Sequence, residues 1–575
     1  MPRRTSATAL PSSGPLHEPA ACDVALAGHL LDRRDLVARA QRADGQRADG
    51  QRADGQGRDG QGRDQGIGEV TALQALAALL AHQGAGALAG LRGGFALAFA
   101  RDGQLHLTRD GLGLRSLYWA RLGGRIVFAS EPKALWSLPG FSRRVTPRAV
   151  ARYLTFSYAP GEETMLEGLY ELEPGTLITF EGGHEIARTR WFDAEGPASA
   201  AREEAPEDTW SARFREAHAA AVAERIELSG RSDAAATLSG GIDSSVVVAE
   251  LARQLPGRVR TFALHFGAQY PNELAHARAV AERCGTDHTE LCIEPHDFLA
   301  RLRRIVWHLD DPIGDPVTVP NLEVAERLGG DVNWLFNGEG GDPLFGGPKN
   351  LSMMLHHWYG GIDRAPGWRE RAYLASYRRA YSALDWLLAP DWRAAIEPAR
   401  DLEALLTPYF ERAHPAAFLD RLMLTNQRLK GAHLILPKVE RMQGAAGITP
   451  LAPLFDERVA QLSFRMPSTS KVARGIEKVV LKRAYEGDLP RSILERPKSG
   501  MRVPVHYWFQ GELRRYACKV LGRREVRRAG IFDPDAVQEL LEYRSERSDA
   551  RYGIRLWMLL TFEVWRRIVV ECEAP

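Results

Sequence analysis

The chain has 575 residues, too many for one compact core at roughly 100–200 residues per domain, so two or more domains are expected. Hydrophobic residues make up 45% and charged residues 26%, and Lys+Arg 75 against Asp+Glu 73 leaves a formal net charge of +2, which excludes nucleic-acid binding driven by overall charge. Five widely spaced cysteines (Cys22, Cys284, Cys292, Cys518, Cys572) form no CxxC pair, and no apolar run approaches the roughly 18 residues of a membrane span; neither a zinc site, a disulfide framework nor a membrane protein is suggested. The start, MPRRTSATALPSSGPLHEP, has basic residues but no apolar core behind them, so it does not read as a secretory signal, and a cytoplasmic location is expected.

Residues 1–20 are rich in Pro, Ser and Ala and read as a loose tail. Residues 41–65 are a five-residue repeat (QRADG three times, then QGRDG and QGRDQ). It repeats Gly and has no apolar residue but Ala, so it is expected to be a disordered insert. From Phe95 short strands and turns take over. FALAFA, then Arg101-Asp102-Gly103, then QLHLTR reads as a hairpin; LRSLYWA and GRIVFAS flank Leu122-Gly123-Gly124; residues 177–192 form another hairpin around Gly182-Gly183. Residues 21–195 are therefore expected to form a β-rich domain, with a polar linker over 196–208. The rhythm then becomes strand–helix–strand: AAATL before SSVVVAELARQL, VRTFALHF before ELAHARAVAERCG, HTELCI before DFLARLRRIVWHL, then VNWLF. Such alternation implies a mostly parallel sheet within a domain spanning 209–575, mainly helical beyond about residue 350. The basic run ELRRYACKVLGRREVRR reads as a solvated helix face.

Two Gly-rich loops carry the chemistry. Ser239-Gly240-Gly241-Ile242-Asp243-Ser244-Ser245 lies between a strand and a helix. Its small residues let backbone approach a polyphosphate, its helix start favours anions, and Asp243 can hold magnesium. It is neither a Walker A loop nor a GxGxxG fingerprint. Asn337-Gly338-Glu339-Gly340-Gly341-Asp342 also follows an apolar strand. In an open parallel sheet both loops converge beyond the strand ends, with Asp243 and Asp342 sharing magnesium and Glu339 left for proton transfer. Taken singly, each loop also reads as a turn capping a helix.

SGGIDSS resembles the PP-loop of ATP pyrophosphatases, and the wider chain resembles the asparagine synthetase superfamily. FALAFARDGQLHLTRDGLGLRSLYW and FASEPKAL resemble its glutaminase-like domain. WHLDDPIGDP, GEGGDPLFGG, KVERM, PLFD, GIEKVVLKRAYEGDLP and RPKSGM follow in the family's order. The resemblance implies an α/β protein: a β-rich, Ntn-hydrolase-like N-terminal domain, then an adenine nucleotide α-hydrolase-like (PP-loop) parallel-sheet domain with helical additions. It implies ATP and Mg2+ as cofactors. Leu238 and Leu264 would hold adenine through the backbone. Ser239, Gly240, Gly241, Asp243, Ser244 and Ser245, with Asn337 and Gly338, would cradle the phosphates. Asp243 and Asp342 would bind the metal, Lys478 would meet the phosphates during adenylation, and Glu339 would lie near the attacking amine. Lys438 and Arg441 would face the acceptor pocket.

The chain also departs from the family. Glutamine-dependent members begin Met-Cys; this sequence reads Met1-Pro2-Arg3, and Cys22 lies in Ala21-Cys22-Asp23 without the usual following glycine. The family's Arg-Gly-Pro-Asp loop is absent, so the N-terminal domain is expected to keep the scaffold without the glutaminase. Thr449-Pro450-Leu451-Ala452-Pro453-Leu454-Phe455-Asp456 stands where asparagine synthetases read Glu-Val-Arg-Val-Pro-Phe-Leu-Asp. Glu339 stands where β-lactam synthetases have tyrosine. The resemblance is strongest to lasso peptide macrolactam synthetases. It implies an enzyme that adenylates an Asp or Glu side chain of a ribosomally made precursor peptide, which the peptide's own N-terminal amine then attacks. The partners implied are that precursor, a leader-binding protein and a leader peptidase. The rivals are an ammonia- or amine-dependent amide synthetase acting on a small acid and a nonenzymatic scaffold in a peptide-maturation complex.

Overall fold

A computed structural model describes residues 22–31, 33–49, 69–196, 204–230, 233–359, 365–376, 380–411, 417–497, 500–544 and 552–575. The expected tail, residues 50–65 of the repeat and residues 197–203 of the expected linker lie outside them. The described residues form two compact units, one from Met1–Ser130 and Leu172–Asp193, the other from Glu131–Glu171 and Ala194–Pro575.

The first unit is a five-stranded antiparallel sheet with helices. Strands β1 (Asp23–Leu30), β2 (Gly93–Arg101), β3 (Gln104–Arg109), β6 (Thr176–Glu181) and β7 (His184–Arg190) lie side by side in that order, and β4 (Tyr118–Leu122) and β5 (Arg125–Ala129) form a hairpin. The expected hairpins are present. Asp102 and Gly103 both have positive φ (52° and 78°), as do Gly123 with Gly124 and Gly182 with Gly183, the twist that two-residue turns need to match paired strands. Helices α1 (Arg33–Asp49) and α2 (Glu69–Gln83) bury Leu36, Ala40, Leu76, Leu79 and Leu80 against Phe95, Leu97 and Phe99 of β2. Helix α1 takes in residues 41–49 of the repeat, which were expected to be disordered. Ala, Arg and Gln are good helix formers, and a helix already anchored by Leu36 and Ala40 propagates through them. The Asp110 carboxylate is fully buried and accepts the backbone N–H groups of Leu112, Gly113, Leu114 and Arg115 at 2.7–3.1 Å, fixing the RDGLGLR turn.

Residues Glu131–Glu171 belong to the second unit, although the sequence suggested one continuous domain to 195. Their side chains explain this: the Tyr153 hydroxyl donates to the Met558 carbonyl at 2.8 Å, and Arg148 pairs with Asp401 at 3.0 Å. Helix α3 (Glu207–Ser229) also claims Glu207 and Asp208 from the stretch read as linker.

The second unit is built on a parallel sheet of β8 (Ala234–Thr237), β9 (Val259–His265), β10 (Asp287–Cys292), β11 (Trp334–Phe336) and β12 (Thr449–Leu451), in spatial order β10-β9-β8-β11-β12. Between strands run α4 (Ile242–Gln254), α5 (Leu274–Cys284), α6 (Pro295–Leu309) and α7 (Thr318–Leu328). Strand order reverses between β8 and β11, a switch point that opens a crevice at the strands' carboxyl ends. Val324, Ala325 and Leu328 of α7 pack with Ala235, Phe262 and Leu335 on one sheet face.

Arg225 of α3 pairs with Asp456 at 3.0 Å, both essentially without solvent exposure, and Arg458 Nε reaches the same carboxylate at 3.0 Å. Breaking a buried pair strands a charge. Asp456→Ala should therefore lower unfolding stability by about 3–5 kcal/mol, measured by denaturant titration; a loss within experimental error would show that Arg225 finds another anion.

Candidate active site

Both Gly-rich loops leave the sheet at the switch point. After β8 the Leu238 N–H donates to the Phe262 carbonyl at 2.8 Å. Hydroxyls then fold the loop on itself: the Ser239 N–H donates to Ser244 Oγ at 3.2 Å, and Ser244 Oγ and Ser245 Oγ donate to the Gly241 carbonyl at 3.2 and 2.7 Å. A Cβ on Gly240 (φ +72°) would lie 2.6 Å from Ala277 N. Gly241 then caps α4, whose first turn carries Asp243.

The second loop lies against the first. The Asn337 N–H donates to the Leu451 carbonyl at 2.9 Å, and the Glu339 N–H to Asn337 Oδ1 at 3.0 Å. A Cβ on Gly338 would sit 2.4 Å from Ser244 N, and one on Gly341 2.0 Å from Asp243 Oδ1. Only glycines permit this approach of backbone to backbone. Asp342 follows in α8 (Gly341–Phe345).

Lys478 arrives from 136 residues beyond Asp342. It lies between β14 (Ile476–Glu477), paired with β13 (Val472–Ala473), and α9 (Val479–Ala484), in the left-handed region with φ 57°. Its buried ammonium lies 2.7 and 2.6 Å from the Asp243 oxygens and 2.5 Å from Asp342 Oδ1. Tyr485, just past α9, donates to Glu250 of α4 at 3.1 Å and lies 2.7 Å from His218 Nδ1 of α3, so the helices bearing Lys478 and Asp243 are joined at both ends. Burial pushes the His218 imidazole down to about 4, which keeps it neutral in this network.

A cavity of about 400 Å³ opens beside the loops. Among the expected residues, Leu238, Ser239, Asp243, Ser244, Leu264, Asn337, Gly338 and Glu339 line it. Gly240, Gly241, Ser245, Asp342 and Lys478 do not line it. Asn337 Nδ2 and Gln443 Oε1, both on the lining, are buried without a hydrogen-bond partner among the described residues, as expected of groups held for a ligand. Gln443 was missed in the sequence because a polar residue after KVERM carries no motif of its own.

Lys438 and Arg441 do not line this cavity. Lys438 pairs with Asp315 at 2.9 Å; Arg441 lies 3.5 Å from Glu131 and 3.8 Å from Asp310. Their partners come from WHLDDPIGDP and SEPKAL, segments noticed in the sequence without a pairing that spacing could reveal. Lys498 and Ser499 of RPKSGM lie outside the described residues, whereas Met501 lines the cavity.

No three His, Cys, Asp or Glu side chains gather as a metal centre among the described residues. Two carboxylates beside a phosphate cradle still suit Mg2+, which typically takes one or two protein carboxylates plus substrate phosphates and water. All five cysteines are free, and no helix among the described residues is long and apolar enough to cross a membrane.

A PP-loop-like turn and an aspartate pair at the switch point of a parallel sheet are the arrangement of a nucleotide-using amide synthetase class. Asparagine synthase matches residues 213–567, and the glutamine amidotransferase domain matches residues 71–192. A putative asparagine synthetase (glutamine-hydrolyzing) of Mycobacterium tuberculosis (strain CDC 1551 / Oshkosh) is 30% identical over 544 residues, covering 85% of this chain and 78% of that one. Asparagine synthetase (glutamine-hydrolyzing) 1 of Bacillus subtilis is 25% identical over 529 residues, covering 87% and 81%. Among solved structures, NH3-dependent NAD synthetase from Campylobacter jejuni aligns with TM-score 0.21 and 13% identity, over 39% of this chain and 94% of that one. The chain belongs to the asparagine synthase family of ATP-dependent amide-bond-forming ligases. Its fold is the expected one, a glutamine amidotransferase-like N-terminal domain followed by a PP-loop domain.

Gly338→Ala forces its methyl onto backbone rather than onto a movable side chain. The variant should keep its circular dichroism spectrum and bind a nonhydrolysable ATP analogue at least about tenfold more weakly, a cost of roughly 1.4 kcal/mol. Unchanged affinity would show that the loops separate without cost to the nucleotide site.

Proposed function

We propose that this chain closes a macrolactam in a ribosomally made lasso peptide precursor, in the cytoplasm, alongside a leader-binding protein and a leader peptidase. An Asp or Glu carboxylate oxygen of the peptide attacks the α-phosphorus of ATP. The bond from that phosphorus to the bridging oxygen breaks, and pyrophosphate leaves with the electron pair. The peptide's N-terminal amine then attacks the acyl carbon of the mixed anhydride. The carbon–oxygen bond to phosphate breaks, giving a lactam and AMP, and the ammonium proton passes to a base.

The residues take these roles. Backbone at Leu238 and Leu264 meets adenine. Ser239, Gly240, Gly241, Ser244 and Ser245, with Asn337 and Gly338, hold the phosphates. Asp243 and Asp342 would hold Mg2+, which supplies neutralisation of charge on the departing pyrophosphate. Lys478 places its ammonium beside the same carboxylates and stabilises that charge. Glu339, on the cavity wall, accepts the amine's proton. Lys438 and Arg441 order the acceptor side through Asp315, Glu131 and Asp310.

The observation that carries the peptide reading is the segment at β12. The resemblance to asparagine synthetases implies a glutamate and an arginine where this chain has the neutral Thr449-Pro450-Leu451-Ala452-Pro453. Leu451, Ala452 and Pro453 are buried, beside the strand that leads to Glu339. This segment carries no charged side chain that could pair with the zwitterion of a free amino acid. Cys22 supports loss of the glutaminase: burial is the largest influence on its thiol and pushes it up, opposite to an activated nucleophile. Family membership supports the second reading, an ammonia- or amine-dependent synthetase acting on a small acid.

Exchange of labelled pyrophosphate into ATP separates the two. An acidic precursor peptide should drive exchange, with AMP as product, whereas free aspartate and glutamate should not. Exchange with a free amino acid alone would favour the second reading, and stoichiometric ADP would overturn both. Glu339→Gln should keep the exchange and slow ring closure by about 100- to 10,000-fold. Equal loss of both steps would place Glu339 with the nucleotide instead.

A further inference from the structure

Lys478 and Asp342 meet from separate segments, and one helix reaches the supports of both. The helix Phe418–Thr425 carries Asp420, whose carboxylate, without solvent exposure, lies 2.7 Å from the equally buried ammonium of Lys471. The Lys471 carbonyl accepts the N–H of Val479 at 3.1 Å, closing the β13–β14 hairpin just past Lys478. The same helix runs on into a π-helical segment, Asn426–Ile435. Asn426, its first residue, has both ends of its amide engaged. Tyr373 Oη donates to Asn426 Oδ1 at 3.0 Å, and Asn426 Nδ2 donates to Asn350 Oδ1 at 3.0 Å.

Asn350 passes the contact on. Its backbone N–H donates to the Gly347 carbonyl at 2.9 Å. Gly347 faces Asp342: a Cβ there would stand 3.1 Å from both Asp342 Cγ and Asp342 Oδ1. The preceding Gly346 has φ +83°, and a Cβ on it would stand 2.8 Å from Cγ2 of Val472 in β13. The Gly346-Gly347 return is thus the surface on which the Asp342 carboxylate rests, and it is wedged against the hairpin that leads to Lys478. Asn350 is 3% exposed, and its Nδ2 has no hydrogen-bond partner among the described residues. A buried donor left unmade destabilises a fold, and apolar side chains of similar shape would fill the space without that cost. The amide pair is explained instead by what it positions. π-helical stretches inside α-helical surroundings are uncommon and mark functional sites more often than others.

We infer that Asn426, oriented by Tyr373, is a positioning residue for Asp342: through Asn350 and the Gly346-Gly347 return it sets the place of that carboxylate relative to Asp243 and Lys478. This rests on the reading of Asp243 and Asp342 as the Mg2+ pair. Mg2+ demands near-ideal octahedral geometry, so two carboxylates that share it have to stand at one separation. Helix α8 spans only Gly341–Phe345 and makes about one turn, so the return beneath Asp342 supplies the constraint that α8 alone does not. Because Asp420 anchors the hairpin and Asn426 anchors the return, one helix is the common reference for the lysine and the aspartate.

The test uses the full chain, the α,β-methylene analogue of ATP, and Mn2+ as a paramagnetic stand-in for Mg2+, with free Mn2+ read by electron paramagnetic resonance. The wild type should bind Mn2+ in the presence of the analogue, and Asp342→Asn should weaken that binding. Asn426→Leu should weaken it by about 10- to 100-fold, the range for groups that orient a metal's ligands, while affinity for the analogue without metal stays within about twofold. Tyr373→Phe leaves the Asn426–Asn350 bond in place; it should give a smaller loss in the same direction, and it replaces the Leu variant if that one does not fold. Asp342→Asn combined with Asn426→Leu should bind Mn2+ no more weakly than Asp342→Asn alone, because Asn426 acts through that carboxylate. Unchanged Mn2+ affinity in Asn426→Leu overturns the inference, as do additive losses in the double variant, which would mark a general loosening of the fold; either leaves the metal pair intact. An Asp342→Asn variant that binds Mn2+ like the wild type sinks the metal reading and the role of Asn426 with it.

Discussion

A fully buried ammonium, that of Lys478, lies between the carboxylates of Asp243 and Asp342. Removing this ammonium from water is costly, and its attraction to the two carboxylates offsets that cost only when the geometry is close. Most of the second unit can be understood as the means of meeting that condition. Asp243 is placed by the first turn of α4, Asp342 by α8, and Lys478 by a left-handed residue between a two-residue strand and α9. None of the three is near another in sequence. The arrangement therefore holds only when the sheet, its crossovers and the later helical region are all in place.

The parallel sheet supplies the platform. Its order reverses between β8 and β11, so the loops after these two strands project into one crevice. Glycines let them touch. At Gly338 the backbone of one loop meets that of the other, and at Gly341 it meets the Asp243 carboxylate. The same contact that brings the carboxylates near Lys478 builds the cavity wall on which Asn337 and Glu339 lie. Packing and chemistry are thus one constraint in this region. The network of His218, Tyr485 and Glu250 extends it, tying the far end of the lysine's helix to the helix of Asp243.

The first unit has a different logic. Its stability rests on short hairpins with left-handed turn residues, an apolar β2 strand packed under α1 and α2, and a buried Asp110 that satisfies four backbone donors. These features hold the sheet together through backbone geometry and burial. Burial pushes the free Cys22 thiol at the start of β1 up.

The sequence by itself determined what is local. Alternation of strand and helix patterns foretold the parallel sheet, Asp-Gly and Gly-Gly pairs foretold the hairpins, and the spacing of Gly and Ser around Asp243 foretold a tight loop between strand and helix. Each of these depends on backbone geometry within a few residues, which residue type controls directly. Only the tertiary structure decided which side chains meet. It joined Lys478 to both aspartates, turned Lys438 and Arg441 toward Asp315, Glu131 and Asp310 rather than to the cavity, and assigned residues 131–171 to the second unit. It also carried α1 into a repeat whose composition suggested no structure. Those outcomes depend on burial and on partners a hundred or more residues away, or on a helix anchored elsewhere. No local pattern encodes the cost of an unpaired charge in a particular interior, and that cost settles where such side chains come to rest.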